Sequence, residues 1–527
     1  MNKHLSTRQV VYAKNGVVAT SEGLAAQAGL EILKKGGNAI DAAVATAACL
    51  TVVEPCSNGI GSDAFAIINY KGKIYGINGS GRSSRNINIE KIKNLNYSSI
   101  PKFGVIPITV PGAPKTWAAL IEKFGNLSLI EVLTPAINLA REGFSIGPYV
   151  GHYFENSIKH YEENNKTSEY EHFFKVFKNG DKYYKAGDTF KSELMAKTLE
   201  EIGLTNSDSF YKGYLAEKIT SFMEKHNGYL DREDLANYEV EFVSPVSINY
   251  KGYDILELPP NGQGITALMA LNILKKFDFK QEESITYHRQ IEALKIAFSD
   301  TMKYVTDPKF MKMKSEFLLS DEYSNLRVKE ITEKAKMYSP IDYKKSGTVY
   351  LATADKEGNM VSFIQSNYMG FGSGIVIDDT GISMQNRGHT FSLDYNHDNC
   401  LMPNKKTYHT IIPGFIMKDN LPIGPFGVMG GFMQPQGHLQ VIMNMIDFKM
   451  SPQEAIDAPR FRWDKDKIVS IEPKFPQSII DFLISSGHEI KFEDRIGGFG
   501  NGQIILKNDD HYEVGSETRC QGYVAYY

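Results

Sequence analysis

A predicted β-hairpin near the middle of the chain constrains the fold more than any other stretch. Residues 348–353 (Thr-Val-Tyr-Leu-Ala-Thr) and 360–366 (Met-Val-Ser-Phe-Ile-Gln-Ser) favour strands, and a polar Asp-Lys-Glu-Gly-Asn turn lies between them. Thr348 would begin the first strand. The preceding residues, 330–346, are mostly polar and charged, which is typical of an exposed connection that can be cut without loss of core. A cut between Gly347 and Thr348 would give Thr348 a free α-amine beside its own hydroxyl.

An N-terminal threonine can carry a nucleophile and a base in one residue. Its hydroxyl attacks an acyl carbon, and its α-amine, with an ordinary pKa of about 7.7–8.0, accepts the hydroxyl proton near neutral pH. Glycine before a strand threonine also fits ordinary turn and strand preferences. The local pattern therefore leaves both a catalytic and a purely structural Thr348 open.

The region from Gly347 to Asn386, including the glycine loop at residues 370–374, resembles the start of the small subunit of γ-glutamyltransferases and related amidohydrolases. These are self-cleaving N-terminal nucleophile enzymes. The resemblance extends from residues 16–19 (Gly-Val-Val-Ala) to the C-terminal end, and residues 36–43 look like another family signature. It implies an α+β fold, a four-layer αββα sandwich. It also implies a precursor cut into a large segment, residues 1–347, and a small segment, residues 348–527, that stay in one compact body.

The same resemblance assigns the catalytic residues. Thr348 is the expected nucleophile, and Ser366 stands where the family has a hydroxyl that hydrogen-bonds it. Residues 427–431 (Gly-Val-Met-Gly-Gly) predict a turn before a helix that includes residues 440–445. In the family the equivalent glycine pair, here Gly430 and Gly431, forms the oxyanion hole. A solvent-facing strand serine and an ordinary strand-to-helix turn are the structural alternatives.

An arginine in the loop at residues 78–82 (Asn-Gly-Ser-Gly-Arg) is the expected substrate anchor. In the family an arginine at the position of Arg82 binds the substrate's α-carboxylate, which a planar guanidinium can grip through two hydrogen bonds. A surface arginine is the alternative, and Arg85 is close enough to compete for the assignment.

Residues 385–392 depart from the pattern of true γ-glutamyltransferases. Thr390 stands where they have an acid for the substrate's α-amino group, and Arg387 stands where a glutamine is usual. The change reverses the local charge. Such a site should bind an ammonium poorly and a second carboxylate or a neutral acyl group better.

Three further departures concern the same site. His409 and Thr410 replace paired serines, so only Thr410 keeps a hydroxyl. Tyr368 occupies an asparagine position, for which the neighbouring Asn367 could compensate. Residues 392–405 form a segment shorter than the lid of lidded family members, which predicts an open cleft.

Composition excludes several other classes. The 527 residues carry a net charge of −4, which offers no basic footprint for nucleic acid. No apolar run approaches a membrane span, and residues 1–15 have no apolar signal core, so we expect a cytoplasmic enzyme. The four cysteines lack CxxC spacing, which predicts neither a zinc site nor a disulfide framework.

No metal or organic cofactor is expected, because the HExxH, GxSxG and GxxxxGK[ST] motifs are absent. Residues 59–64 (Gly-Ile-Gly-Ser-Asp-Ala) match the GxGxxA form of a dinucleotide loop, but that loop needs a strand before it and a helix after it. Here a helix precedes and a hairpin follows, so a tight turn is the better interpretation. Residues 239–250 and 253–258 predict another hairpin.

The sequence thus predicts an amidohydrolase that cleaves an amide of a small carboxylate-bearing substrate through an acyl-enzyme, with water or an amine as acceptor. A true γ-glutamyltransferase or glutathione hydrolase is the alternative on the same scaffold. A homologue that binds a ligand but is never cleaved is the alternative of another class. A homodimer, or a heterotetramer of cleaved subunits, is the expected assembly.

Overall fold

The computed structural model describes residues 8–280, 283–337, 347–494 and 496–527. The described strands are β1 (Val11–Ala13), β2 (Val17–Thr20), β3 (Asp63–Tyr70), β4 (Lys73–Gly79), β5 (Phe144–Ser145), β6 (Lys178–Asn179), β7 (Lys182–Tyr183), β8 (Thr189–Phe190), β9 (Glu241–Val243), β10 (Val246–Tyr250), β11 (Tyr253–Glu257), β12 (Gly347–Ala354), β13 (Met360–Tyr368), β14 (Gly414–Lys418), β15 (Leu421–Met429), β16 (Phe461–Lys465), β17 (Ile468–Ile471), β18 (Glu489–Phe492), β19 (Asn501–Lys507), β20 (Tyr512–Ser516) and β21 (Tyr523–Tyr526).

The described α-helices are α1 (Gly23–Lys34), α2 (Ala39–Val53), α3 (Ile89–Asn94), α4 (Ala113–Phe124), α5 (Leu129–Glu142), α6 (Pro148–Asn164), α7 (Glu171–Phe177), α8 (Glu193–Leu204), α9 (Asp208–Tyr211), α10 (Tyr214–Lys225), α11 (Arg232–Ala236), α12 (Gly264–Leu274), α13 (Ser284–Tyr304), α14 (Ser315–Leu318), α15 (Asp321–Arg327), α16 (Met433–Ile446), α17 (Pro452–Asp457) and α18 (Gln477–Ser485). Short 3₁₀ helices lie at Ser168–Tyr170, Pro308–Phe310, Val328–Glu330 and Arg387–Thr390.

Two large sheets form the centre of the molecule. In one, the strand order is β1-β20-β19-β15-β14-β11-β10, and in the other it is β21-β2-β12-β13-β3-β4-β9. Their facing surfaces enclose a core that includes Phe65, Tyr350 and Phe415. Helices α1, α2 and α4 lie on the sheet of β12, with α5 packed on α2, and helices α12 and α16 lie on the sheet of β15, with α13 packed on α12. This is the predicted four-layer αββα sandwich, and both sheets contain strands from either side of residue 347.

The Ala-rich helix α2 shows why the layers pack closely. All of its residues from Ala39 to Val53 are buried, and their small side chains let the helix lie against both β12 and β13. Asn38 caps the helix by accepting hydrogen bonds from the backbone N–H groups of Ile40 and Asp41 at 2.8 and 3.1 Å.

The central hairpin also forms as predicted, with β12 and β13 antiparallel and Gly347 opposite Tyr368. The register shifts between Gly347 and Val349, so Thr348 lies at an irregularity in the ladder. This bulge separates the start of β12 from the regular strand behind it.

Two local predictions are corrected. Residues 239–250 do not form one strand, because β9 pairs with β4 in one sheet whereas β10 pairs with β11 in the other. The glycine-rich stretch at residues 427–431 is mostly strand, since β15 runs to Met429 and only Gly430 and Gly431 turn. The helix that follows starts earlier than residue 440, at Met433.

No helix among the described residues is both long enough and apolar enough to cross a membrane.

Candidate active site

Thr348 and Ser366 meet across the hairpin. The Thr348 Oγ1 and Ser366 Oγ atoms lie 3.0 Å apart, and both residues are fully buried. The backbone N–H of Tyr368 donates to Ser366 Oγ at 2.8 Å. Either hydroxyl can donate in the contact between Thr348 and Ser366, since each carries one proton and can also accept. The structure therefore brings together the two hydroxyls that the resemblance pairs, and the solvent-facing alternative for Ser366 is wrong because the residue is buried.

Tyr368 leaves the strand in a strained conformation. Its φ is 76°, in the left-handed region that residues other than glycine seldom adopt. The turn directs its ring into the wall of a cavity, over the guanidinium of Arg387 at 4.5 Å from the ring centre. Strain of this kind in a native structure is commonly found at functional sites.

The cavity has a volume of about 180 Å³, below the roughly 300–1,000 Å³ of pockets for drug-sized ligands, so it suits a small group. Two of its lining residues connect it to the candidate catalytic groups, since Tyr368 is the register partner of Gly347 and Phe432 directly follows the Gly430–Gly431 turn. Thr348 and the two glycines are not themselves among the lining residues. None of its lining residues is an acid or a lysine or arginine; they are Met302, Tyr368, His389, Thr390, Ser392, His397, Asn399, Tyr408 and Phe432.

Three buried residues behind Tyr368, namely Asp63, Arg387 and His409, form what we call the site cluster. Arg387 Nη1 donates to Thr410 Oγ1 at 2.7 Å, and Arg387 Nε lies 3.7 Å from Asp63 Oδ2. His409 Nε2 lies 2.9 Å from the same carboxylate oxygen. The cluster thus joins β3 to the segments that carry Arg387 and His409.

Burial sets the charges of the site cluster. It raises the pKa of Asp63 to about 7, against the opposing effect of Arg387. It lowers the pKa of Arg387 to about 10, so Arg387 stays charged at neutral pH. It holds the pKa of His409 well below its usual range, so the ring is neutral and donates its Nε2 proton to Asp63. Arg387, His409 and Thr410 were predicted to bind substrate, and the structure places all three behind the cavity wall.

Thr390 lines the cavity, but its hydroxyl is engaged on the protein side. Thr390 Oγ1 contacts the carbonyl of Arg387 at 2.8 Å, Thr407 Oγ1 at 2.7 Å and the carbonyl of Tyr408 at 3.1 Å. Nothing at this position offers a negative charge to an ammonium group.

Arg82 does not line the cavity, but it is linked to the cavity wall through Asp307 and Thr306. Its Nη1 donates to Asp307 Oδ2 at 2.6 Å, and its Nη2 donates to Glu241 Oε1 at 3.1 Å. The next residue back from Asp307, Thr306, donates to the cavity residue Asn399 at 2.8 Å. About a quarter of the Arg82 side chain is exposed. Arg82 is therefore a partly exposed cation near the cavity.

Arg85, the competing candidate, points elsewhere. It pairs with Asp231 at 2.9 Å and also with Glu233, and it is more exposed than Arg82. The side chain of Asn367 is likewise directed away from the cavity, because it accepts from Ser62 Oγ at 2.7 Å and contacts Ser383 Oγ at 3.4 Å. It does not take over the place of Tyr368.

The glycine pair has the geometry of an anion-binding turn. Gly430 and Gly431 have φ values of 132° and 61°, which favour glycine. The Gly430 carbonyl accepts from Met433 N–H and the Gly431 carbonyl from Gln434 N–H, both at 3.1 Å. A peptide N–H points opposite its carbonyl, so the Gly431 N–H points away from α16, and no described residue accepts from it.

Sequence reasoning missed several residues of the site. Asp63 was considered only within the dinucleotide-like stretch, and Gln263 and Tyr408 were given no role. An acid at the start of an otherwise apolar strand, such as Asp63 in β3, was the available signal. The contacts of Gln263 and Tyr408 join distant segments, so the sequence carried no comparable signal for them.

Among the described residues, one group has the ligand types of a metal site: His288, Glu292 and His488, whose ligand atoms all lie within 4.8 Å of one another. With Lys295 they form what we call the tail cluster. Lys295 Nζ lies 2.7 Å from Glu292 Oε1, so an ammonium already occupies the cation's position beside that carboxylate.

The chain is similar in sequence and in structure to several known proteins. The family model described as gamma-glutamyltranspeptidase matches residues 25–527. The Glutathione hydrolase-like YwrD proenzyme of Bacillus subtilis (strain 168) is 38% identical over 499 residues, covering 92% of each chain. The Acylase ACY 1 proenzyme of Pseudomonas sp. (strain SE83) is 31% identical over 503 residues, covering 92% of this chain and 88% of the acylase. A crystal structure of cephalosporin acylase from Bacillus halodurans superposes with a TM-score of 0.97 and 53% identity, covering 100% of this chain and 98% of the other.

Proposed function

Since this chain belongs to the γ-glutamyltranspeptidase family and is a self-processing N-terminal nucleophile amidohydrolase, we propose that it hydrolyses amides of a small acyl group that carries a carboxylate and lacks an α-ammonium. The observation that carries this proposal is the cavity wall around Thr390, which contains no acid to pair with an ammonium. Burying an unpaired ammonium there would cost about 1–3 kcal/mol, which corresponds to a loss of about 5- to 150-fold in kcat/KM.

The proposed reaction begins with cleavage between Gly347 and Thr348. In the uncut chain the Thr348 nitrogen is an amide without basicity, whereas after cleavage it is an amine that can accept the hydroxyl proton. Thr348 Oγ1 then attacks the substrate carbonyl, with Ser366 orienting the hydroxyl. Backbone N–H groups at Gly430 and Gly431 stabilise the oxyanion.

Collapse of that intermediate releases the amine, which takes the proton from the Thr348 α-amine, and leaves an ester on Thr348. Water, or a second amine, attacks the ester and regenerates the hydroxyl. The segments of residues 1–347 and 348–527 are proposed to stay associated, because each contributes strands to both sheets. The described cysteines are all free, which supports the proposed cytoplasmic location. The homodimer or heterotetramer remains an expectation for native mass measurement.

Intact mass tests the nucleophile. The wild-type protein should give two fragments that meet at Gly347–Thr348, whereas Thr348→Ala should stay whole and inactive. Thr353→Ala is a matched control, since Thr353 is a buried threonine of the same strand whose hydroxyl bonds the Ala39 carbonyl at 2.7 Å. It should still be cleaved. An uncut wild-type chain would favour the ligand-binding homologue.

Three anilides test the acyl group. Glutaryl-p-nitroanilide and γ-glutamyl-p-nitroanilide differ only in the α-ammonium, and pentanoyl-p-nitroanilide lacks the carboxylate as well. We expect the glutaryl compound to be preferred over the γ-glutamyl compound by about 10-fold or more. The reverse preference would support a true γ-glutamyltransferase or glutathione hydrolase, the alternative that the Glutathione hydrolase-like relative favours.

The proposed role of Arg82 in binding the substrate carboxylate is tested separately. Arg82→Met should raise KM for the glutaryl compound and leave KM for the pentanoyl compound unchanged. Arg85→Met, which removes a nearby arginine that faces other partners, should change neither. An unchanged KM for both substrates in Arg82→Met would remove Arg82 from the site.

A further inference from the structure

Gln263 connects three parts of the site through one buried side chain. It precedes α12 and is fully buried. Its Nε2 donates to the Gly431 carbonyl at 2.8 Å and to the Thr410 carbonyl at 2.6 Å. Its Oε1 accepts from the Tyr408 hydroxyl at 3.0 Å, and Tyr408 lines the cavity. All the polar atoms of this amide are therefore engaged at the glycine turn and the cavity wall.

The backbone of Gln263 is held to the same region. Its N–H donates to the His409 carbonyl at 2.9 Å, and Gly262 bridges to His409. The side chain therefore starts from an anchored position when it reaches the Gly431 carbonyl. A side chain with fixed ends loses little entropy when it holds another group in place.

The glycine turn needs such support. Two consecutive glycines have wide conformational freedom, and an oxyanion hole works only if its donors are fixed before the reaction. Met433 N–H holds the peptide between Gly430 and Gly431, and Gln434 N–H holds the next one. Gln263 adds a second donor to the Gly431 carbonyl from a different element. That contact limits rotation of the peptide plane that follows Gly431.

We infer that Gln263 is a positioning residue for the oxyanion turn. The inference rests on the proposed role of Gly430 and Gly431. Gln263 holds the Gly431 carbonyl and so fixes the peptide between Gly431 and Phe432. This limits rotation at Gly431, whose own N–H is directed away from α16 by the preceding peptide. Loss of the Gln263 contact should weaken stabilisation of the transition state more than binding of the substrate, since the negative oxygen exists only in the transition state.

Gln263→Met tests this role, because methionine keeps the length of the side chain and removes its hydrogen bonds. Mature enzyme, verified as two fragments by intact mass, should lose about 10- to 100-fold in kcat toward glutaryl-p-nitroanilide with KM little changed. Butylboronic acid, which forms a tetrahedral anionic adduct with a threonine hydroxyl, should bind more weakly by a similar factor. Binding of glutarate should be unaffected.

Gln440→Met is the matched control. Gln440 is also a buried glutamine, and its Nε2 donates to the carbonyls of Gln436 and Phe461, both at 3.0 Å. It should lose similar stability and keep wild-type kcat and boronate affinity. If Gln263→Met fails to fold, Tyr408→Phe removes only the hydroxyl that orients Gln263 Oε1 and should lower kcat and boronate affinity together to a smaller degree.

The outcomes separate the inference from its premise. Wild-type enzyme that neither turns over the anilides nor binds the boronate would overturn the proposed function. Wild-type enzyme that does both, with variants that keep the wild-type kcat and boronate affinity, would overturn the role of Gln263 alone. A rise in KM at constant kcat would also overturn it, since that pattern indicates substrate binding.

Discussion

The site cluster and the tail cluster contain the same kinds of group in different surroundings. Each combines a carboxylate, a cation and histidine in the buried interior. The site cluster contacts Tyr368 through Arg387, and through Tyr368 it reaches Ser366 and the cavity. The residue types of the site cluster do not distinguish it from the tail cluster. Its position beside the hairpin of β12 and β13 does.

The tail cluster holds residues 332–336 in place. His288 Nε2 donates to the Thr332 carbonyl at 2.7 Å, Lys336 N–H donates to Glu292 Oε2 at 3.1 Å, and Lys295 Nζ donates to the Lys336 carbonyl at 3.3 Å. His488 lies between α18 and β18. The tail cluster therefore ties residues 332–336 to α13 and to the connection before β18.

The histidines of the tail cluster can be assigned tautomers. A carbonyl only accepts, so His288 Nε2 carries the proton and its Nδ1 accepts from His488 Nε2 at 2.9 Å. His488 Nδ1 has no partner among the described residues. Both rings are thus neutral, and the charge pair is Glu292 with Lys295. The two clusters therefore differ in what they contact, since the site cluster contacts Tyr368 and the tail cluster contacts residues 332–336.

The largest expected effect is on activity, from Arg387→Met. The Tyr368 ring would lose its support and shift, which should lower kcat/KM on the order of 100-fold. Stability should also fall by about 3 kcal/mol, because Asp63 loses its nearest cation. Arg460→Met is the matched control: Arg460 is buried and lies 3.0 Å from Glu517. It should lose stability and keep activity. Equal activity loss in both variants would contradict the comparison.

The next effect is on stability alone, from Glu292→Gln. Lys295 would be left buried without its carboxylate, at a cost of about 3 kcal/mol in the free energy of unfolding. Urea denaturation measures this cost. At urea concentrations too low to unfold the variant, its kcat/KM should match that of the wild type. Glu283→Gln, at the N-cap of the same helix, removes only an exposed pair with Lys280 and should change stability by less than about 1 kcal/mol. Lost activity in Glu292→Gln would show that the two clusters are coupled.

A smaller effect on the free energy of unfolding is expected when the pH is lowered. Burial, together with Lys295, His288 and Lys467, lowers the pKa of His488 to about 2, against an ordinary value near 6.5. The unfolded chain then binds the extra proton as pH falls below that ordinary value, so the stability is present above about pH 6.5 and is lost on acidification.

Between pH 7 and pH 5 this group should contribute a loss of about 2 kcal/mol. His488→Asn, which cannot titrate but can still donate to His288, should lose less over the same range in urea denaturation. Parallel pH profiles for wild type and variant would show that His488 does not titrate differently on unfolding.

The smallest effect is expected when both charges of the tail cluster are removed together. Glu292→Gln with Lys295→Met leaves no unpaired charge, and a replaced buried pair is often nearly neutral, so the loss should be within about 1 kcal/mol. A double variant as unstable as Glu292→Gln alone would show that the hydrogen bonds to the tail, and not the charges, carry the stability.

Local pattern was sufficient for the hairpin of β12 and β13, because strand propensity and a tight turn depend on neighbours in sequence. The pairing of Thr348 with Ser366 came from the family resemblance. Pattern failed for residues 239–250, whose two halves are equally strand-like. Only the competition between two sheets places β9 in one and β10 in the other.

The sequence by itself determined the nucleophile hairpin and, through the family resemblance that it carries, the fold class and the missing acid at Thr390, because each follows from residue types at set positions. Only the tertiary structure decided that Arg387 and His409 lie behind the cavity, that Arg82 is paired with two acids and that Gln263 reaches the glycine turn. These facts depend on distances between segments far apart in the chain, and burial then sets their charges. A side chain's role follows from the groups that surround it after folding, and its identity fixes only the chemistry it can offer.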